Sequence, residues 1–271
     1  MTPNDHDHDA AAGASVIAVW LVPSEPETAL LQKLMSRHPE PIAPTSFPHF
    51  QPHITLAAIR PPAPAPAPAS TTGSRPESSR HHVDDDDDNN NKSTGIDPTT
   101  TDPDSTALLA LALRESIPLG QRALRVRFAR VLTGDRYFLS IYIALAPSIE
   151  LAQLRSSATA ALLNGLGGGG AGAGVGAGGP ATPAFPHLSL FYVADEEAHT
   201  RVRFLQEMER EGVVRHSADG LSVALRCAAE GDDGDSVLEG FTATQIWIVD
   251  CEGPAEEWKV LDKILLATSD R

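Results

Sequence analysis

Two stretches of this chain, Pro-His-Ile-Thr-Leu (residues 52–56) and Pro-His-Leu-Ser-Leu (residues 186–190), repeat one small pattern. In each, a hydroxyl residue follows a histidine at the second position of an apolar, strand-like run. Because side chains alternate across a strand with a period of two, His53 and Thr55 are expected to share a face. The same holds for His187 and Ser189. Two such strands facing each other would present two imidazoles and two hydroxyls to one cleft.

The pair of motifs is more specific than either motif alone. None of the other eight histidines has Ser or Thr two positions later. Taken singly, each histidine could be a hydrogen-bonded core residue on a strand. The repetition of the whole Pro-His-apolar-(Ser/Thr)-Leu context favours a shared functional site.

These four side chains are a complete set for acid–base chemistry on a phosphate. A histidine pKa of ~6.5 lets one imidazole be neutral while its partner is protonated near neutral pH. The hydroxyls can donate to the non-bridging phosphate oxygens and stabilise the charge of the transition state. We therefore expect neither a metal nor a cofactor. The sequence does not order the two histidines; we take His187 as the base and His53 as the acid.

Two His-x-(Thr/Ser) motifs in two halves of a chain resemble the 2H phosphoesterase superfamily. The resemblance is closest to its cyclic nucleotide phosphodiesterase branch of the fungal and plant type, and it covers about residues 15–60 and 104–266. It implies a bilobal α+β fold, with two mostly antiparallel sheets facing a central cleft and helices on the outside. It also implies hydrolysis of 2′,3′-cyclic nucleotides to nucleoside 2′-phosphates.

The same resemblance implies a second substrate and the roles of single residues. The substrate is ADP-ribose 1″,2″-cyclic phosphate, hydrolysed to ADP-ribose 1″-phosphate in the metabolism of tRNA splicing by-products. The roles are catalysis for His53 and His187, phosphate binding for Thr55 and Ser189, and substrate contact for Tyr192 and Trp20. Tyr192 lies five positions after His187, so its role requires the strand to end or bulge near residues 190–192. Tyr192 and Trp20 could equally be core or rim aromatics.

Charge and composition restrict the partners. The formal net charge is −15, which argues against broad binding to nucleic acid backbones. We expect a small cyclic phosphate as substrate, no stable nucleic acid complex, and a monomer. Three arginines in a strand-like run could attract the anionic substrate or simply form an exposed strand face: Arg125, Arg127 and Arg130.

Low-complexity segments divide the chain. We predict a disordered tail at 1–13 and a single bilobal domain at 14–268. This domain is interrupted by a Pro/Asp/Ser-rich insertion at 61–103 and a Gly/Ala-rich linker at 165–182, whose compositions bury too little apolar surface to fold. Near the C-terminus we predict a strand pair, 221–227 with 238–249, and a last helix over 255–266.

The cysteines and the apolar runs bear on the compartment. Cys227 and Cys251 are too few for a disulfide framework and fit two reduced thiols in an intracellular protein, with a single bridge as the alternative. No secretory signal is evident at the N-terminus, and no apolar run approaches the ~20 residues that span a bilayer. Fungal relatives are associated with the Golgi, so we expect a Golgi-associated or otherwise cytoplasmic protein.

Two other functions stay open at this point. One is a 2H-type enzyme acting on RNA ends, as a phosphodiesterase or a 2′-5′ ligase-like activity. The acidic balance and the lack of a basic, aromatic-rich channel count against it. The other is a nucleotide-binding protein without turnover, against which the intact histidines and hydroxyls argue.

Overall fold

The computed structural model describes residues 16–59, 103–117, 121–165, 186–227 and 236–267. The predicted tail and nearly all of the predicted insertion and linker lie outside these ranges. The strands are β1 (Ile17–Pro23), β2 (Ile54–Ile59), β3 (Leu124–Thr133), β4 (Ile141–Leu145), β5 (His187–Phe191), β6 (Val214–His216), β7 (Val223–Arg226), β8 (Val237–Leu238), β9 (Gly240–Asp250) and β10 (Lys259–Leu265). The helices are α1 (Glu25–Met35), α2 (Pro103–Ser116), α3 (Ile149–Gly165) and α4 (Ala198–Arg210).

Seven of the strands form one continuous antiparallel sheet in the order β1-β2-β5-β4-β3-β9-β10. An additional pairing of β1 with β9 closes the first six strands of this order into a ring, and β10 is added at β9. The sheet has two halves, β10-β9-β1-β2 and β5-β4-β3, and they meet between β2 and β5 and between β3 and β9. The remaining strands β6, β7 and β8 form a small separate sheet. The predicted α+β class with antiparallel strands is confirmed, and the two predicted sheets are the halves of this sheet.

The faces of the sheet differ in what covers them. On β1, the alternating residues Ile17, Val19 and Leu21 belong to the main core, together with buried leucines of helices α1, α2 and α3. The residues between them, including Trp20, belong to a second, smaller apolar cluster. Because strand side chains alternate, the helices cover one face and leave the other for the motif residues. The placement of helices on the outside is thereby confirmed.

The predicted last helix is wrong. After a short 3₁₀ turn at Ala255–Glu257, the chain forms strand β10, which pairs with β9 from Lys259 opposite Asp250 to Leu265 opposite Gln245. The physical reason is an unpaired edge: β3 covers β9 only over 240–243, and the rest of that edge needs a partner. Non-local hydrogen bonding thus overrides the local helical pattern.

The predicted pair of late strands is correct only near its turn. Strand β7 pairs with β8, with Leu225 opposite Leu238, but β9 joins the large sheet instead of continuing that hairpin. Gly240 marks the switch, since a Cβ at this position would lie 2.0 Å from the carbonyl oxygen of Val126 on β3. The close approach of the two backbones therefore requires glycine here.

Among the described helices, none is both long and apolar enough to cross a bilayer.

Candidate active site

The two histidine motifs lie side by side in the sheet. Ile54 on β2 and Leu188 on β5 are directly opposite in an antiparallel pair. Continuing this register places His53 opposite Ser189 and Thr55 opposite His187. The two histidines are then diagonal neighbours, a relationship that separates residues by about 7–8 Å. The structure therefore brings together all four residues that the sequence predicted.

The ring of His53 is buried and oriented by its neighbours. Its imidazole is 5% exposed and stacks on the indole of Trp20, with ring centroids 3.6 Å apart. Nδ1 lies 2.6 Å from the carbonyl oxygen of Gln51. A carbonyl oxygen only accepts hydrogen bonds, so Nδ1 carries the proton. The nitrogen left for proton transfer in the neutral ring is Nε2.

Burial lowers the pKa of His53 from 6.5 to about 4. The backbone hydrogen bond to Gln51 acts in the opposite direction, and the charge of His187 adds to the lowering. His53 is therefore a neutral imidazole near pH 7. The charge of His187 has this effect because the two histidines lie on neighbouring strands.

The second motif is similarly enclosed. His187 and Ser189 are buried, and the ring of Tyr142 on β4 meets the ring of His187 edge to face at 5.4 Å. The hydroxyl of Ser189 donates to the carbonyl oxygen of Phe138 at 3.3 Å. Thr55 on β2 is half-buried and lies opposite Trp20 on the neighbouring strand β1. A phosphate held at the histidines would thus have a hydroxyl on each of the two strands.

Tyr192 lies immediately after the end of β5, as its predicted role requires. Its ring is 3% exposed and stacks on Phe50 at 4.3 Å, and burial raises the pKa of its hydroxyl. That hydroxyl shares a hydrogen bond with Ser189. Tyr192 therefore contacts a motif residue directly.

Sequence reasoning missed two aromatic residues at the site. The ring of Trp258 lies 5.6 Å from Trp20, 6.4 Å from His53 and 6.3 Å from Tyr192. Phe138 lies 5.2 Å from Tyr192 and 6.1 Å from Trp258. Trp258 falls in the segment predicted to be a helix, and Phe138 lies in a turn without a motif. No local signal in the sequence connects either residue to the histidines.

One protein-family model matches most of this chain. The model of the cyclic phosphodiesterase-like protein family matches residues 94–266, which include the second histidine motif. This chain belongs to the cyclic phosphodiesterase-like family. The predicted resemblance is confirmed at that level, and the fungal and plant branch stays a prediction.

Two solved structures resemble this cyclic phosphodiesterase-like protein along nearly its whole length. One is E. coli LigT complexed with ATP, with a TM-score of 0.45, 9% identity, and coverage of 94% of this chain and 99% of that chain. The other is a phosphoesterase, with a TM-score of 0.44, 10% identity, and coverage of 93% and 98%. No curated protein matches the chain.

A buried polar network fixes the turn beside the site of this family member. The Ser140 hydroxyl accepts from the backbone N–H of Val193 at 2.9 Å and lies 2.6 Å from the carbonyl oxygen of Tyr137. Arg201, on α4, donates to the carbonyl oxygen of Val193 at 2.7 Å and pairs with Asp195. The segment that follows β5 is therefore held to α4 and to the turn that carries Phe138.

The remaining candidate residues have the following places. Arg130 on β3 lies opposite Ala144 on β4, and Ala144 lies opposite His187 on β5. The exposed Arg130 therefore shares a face with His187, two strand spacings or roughly 10 Å away.

Cys227 and Cys251 are both free, and burial raises their pKa values to about 11 and about 12. Within the described ranges, no three His, Cys, Asp or Glu residues cluster as a metal site.

Proposed function

We propose that this protein hydrolyses nucleoside 2′,3′-cyclic phosphates to nucleoside 2′-phosphates without a metal ion. The observation that supports it most is the pairing of the two motif strands, with Ile54 opposite Leu188. This pairing puts two imidazoles and two hydroxyls on one face, where a single phosphate can contact them. ADP-ribose 1″,2″-cyclic phosphate, and with it a link to tRNA splicing by-products, belongs to the same proposal. A monomeric state and a Golgi or cytoplasmic location stay predictions.

The proposed reaction needs one base and one acid. His53 is neutral near pH 7, so it accepts a proton from water as the water oxygen attacks phosphorus. The bond between phosphorus and O3′ breaks, and His187, as an imidazolium, donates its proton to O3′. Exchange with solvent then restores both histidines. This order is the reverse of the sequence-based expectation, and the lowered pKa of His53 is the reason.

The hydroxyls of Thr55 and Ser189 serve the phosphoryl oxygens in this mechanism. By the register of β2 and β5, each hydroxyl lies opposite the histidine of the other strand. Negative charge develops on the oxygens of the pentacoordinate phosphorus in the transition state. A hydroxyl from either strand can therefore stabilise this charge by a hydrogen bond. The Ser189 hydroxyl must turn from the Phe138 carbonyl to do so.

The proposal is tested by incubating the protein with 2′,3′-cyclic AMP in EDTA and identifying the product isomer. We expect 2′-AMP, with a loss of about 10²–10⁴-fold in kcat for His53→Ala and for His187→Ala. His216→Ala is the matched control, because His216 is exposed and, among the residues that the structure describes, its side chain pairs with Glu209.

Three outcomes would overturn the proposal. Full activity of either histidine variant would remove the acid–base assignment. A 3′-phosphate product would contradict the branch. Faster cleavage of an oligonucleotide than of a mononucleotide would favour an enzyme of RNA ends, and tight binding of 2′-AMP without turnover would favour a binding protein.

A further inference from the structure

The two aromatic residues expected from the sequence to contact substrate have no free ring face for a base. Trp20 and Tyr192 are each 3% exposed. One face of Trp20 lies on His53, and a face of Tyr192 lies on Phe50. A nucleobase that stacks in this cleft must therefore use other rings.

Phe138 and Trp258 form the outer layer of the same aromatic cluster. Phe138 is 56% exposed, although it is a large apolar side chain, and Trp258 is half-buried. Their ring centroids are 6.1 Å apart, with planes inclined by 33°. Both rings touch Tyr192, and Trp258 also reaches His53. An aromatic surface that faces solvent beside buried catalytic groups is typical of a binding site.

The backbone holds this surface at a set position relative to the phosphate-binding hydroxyl. The carbonyl oxygen of Phe138 accepts the hydrogen bond of Ser189. The indole N–H of Trp258 donates to the carbonyl oxygen of Gly253 at 3.2 Å, within the turn that precedes β10. If the phosphate of the substrate lies at Ser189, the part of the substrate attached to it would lie beside the Phe138 ring.

We propose that Phe138 and Trp258 form the nucleobase-binding surface, on which the base of the substrate stacks while the two histidines hold the cyclic phosphate. This inference rests on the proposed function and names the part of the substrate that the histidines do not bind. Stacking on aromatic faces accepts purines and pyrimidines alike, since every base has a π-face. The protein therefore selects for the presence of a base and tolerates differences in its identity.

The test compares two substrates that share the cyclic phosphate. 2′,3′-Cyclic AMP carries a base and glycerol 1,2-cyclic phosphate does not. For Phe138→Ala we expect the ratio of their kcat/KM values to fall roughly 5- to 150-fold, mainly through a higher KM for the nucleotide. Phe138→Tyr restores the ratio because it keeps an aromatic ring. Leu221→Ala removes another exposed apolar side chain, 71% exposed, between β6 and β7 of the separate small sheet, and serves as the control.

Trp258 is tested with Trp258→Leu, because this residue also packs against Trp20 and a leucine keeps part of that packing. It should lower the same ratio. An unchanged ratio in both Phe138→Ala and Trp258→Leu overturns the inference. Inactivity of the wild type on both substrates overturns the proposed function instead. In that case, calorimetry with 2′-AMP tests the base-binding surface without turnover. Equal affinity of the wild type and Phe138→Ala for 2′-AMP overturns the inference as well.

Discussion

The indole ring of Trp20 lies flat on the imidazole of His53, with centroids 3.6 Å apart and planes 10° apart. Trp20 comes from β1 and His53 from the residue before β2, two strands that pair with Trp20 opposite Thr55. The stack covers one face of the imidazole and excludes water from it. Burial is the largest cause of the low pKa of His53, so this contact favours the neutral form of the proposed general base.

Replacing Trp20 should therefore raise the pKa of His53. In Trp20→Ala we expect the value to move from about 4 toward the ordinary ~6.5, because water reaches the uncovered ring. NMR titration of the histidine ring protons measures it. Leu221→Ala is the control, since this side chain is 71% exposed and belongs to neither apolar cluster. The same pKa of His53 in both variants would contradict the prediction that the Trp20 ring lowers it.

The same pKa predicts how stability depends on pH. In the unfolded chain His53 titrates near its ordinary ~6.5, and in the folded protein near 4. Between these values the unfolded state binds more protons, so stability rises with pH in this window and is lost as the pH falls through it. The contribution is about 3 kcal/mol, at ~1.4 kcal/mol per pKa unit.

Urea unfolding at several pH values between 4 and 7 measures this contribution. His53→Gln removes the titrating group, so its free energy of unfolding should fall less toward pH 4 than that of the wild type. Differences between the two proteins isolate His53 from the other histidines. Parallel curves for the two proteins would show that His53 does not carry the lowered pKa.

Ser189 and Tyr192 should differ in their effect on turnover. In the proposed mechanism the Ser189 hydroxyl donates to a phosphoryl oxygen, and removing one such donor typically costs about 10²–10³-fold in kcat. The Tyr192 hydroxyl acts through its hydrogen bond to Ser189, so Tyr192→Phe should cost less than Ser189→Ala. Steady-state kinetics on 2′,3′-cyclic AMP compares them. A larger loss in Tyr192→Phe would assign the phosphate contact to the tyrosine.

Ser140→Ala should destabilise the protein by about 1–3 kcal/mol, because it leaves the buried backbone N–H of Val193 without its partner. The midpoint of urea unfolding gives the change. Ser156→Ala is the control, since its exposed hydroxyl donates to the carbonyl oxygen of Ala152 on its own helix. Similar values for the two variants would mean that the network beside the site contributes little.

Local patterns predicted the strand-like runs at His53 and His187 and the run that carries Arg125, Arg127 and Arg130. The structure has these runs as β2, β5 and β3. The errors lie after residue 220, where strands pair with partners far away in the chain. Strand β10 forms because one edge of β9 needs a partner, and the local pattern of residues 255–266 does not indicate that edge.

The sequence by itself determined that each motif presents an imidazole and a hydroxyl on one face, because the spacing of His-x-(Thr/Ser) matches the period of a strand. Only the tertiary structure decided that the two motifs are neighbours, since the Ile54–Leu188 pairing joins residues far apart in the chain. The burial of His53, and hence its charge, depends on Trp20 from another strand. Phe138 and Trp258 likewise meet at the cleft only through the pairing of distant strands. Side-chain alternation is local, whereas register, burial and ring contacts are not.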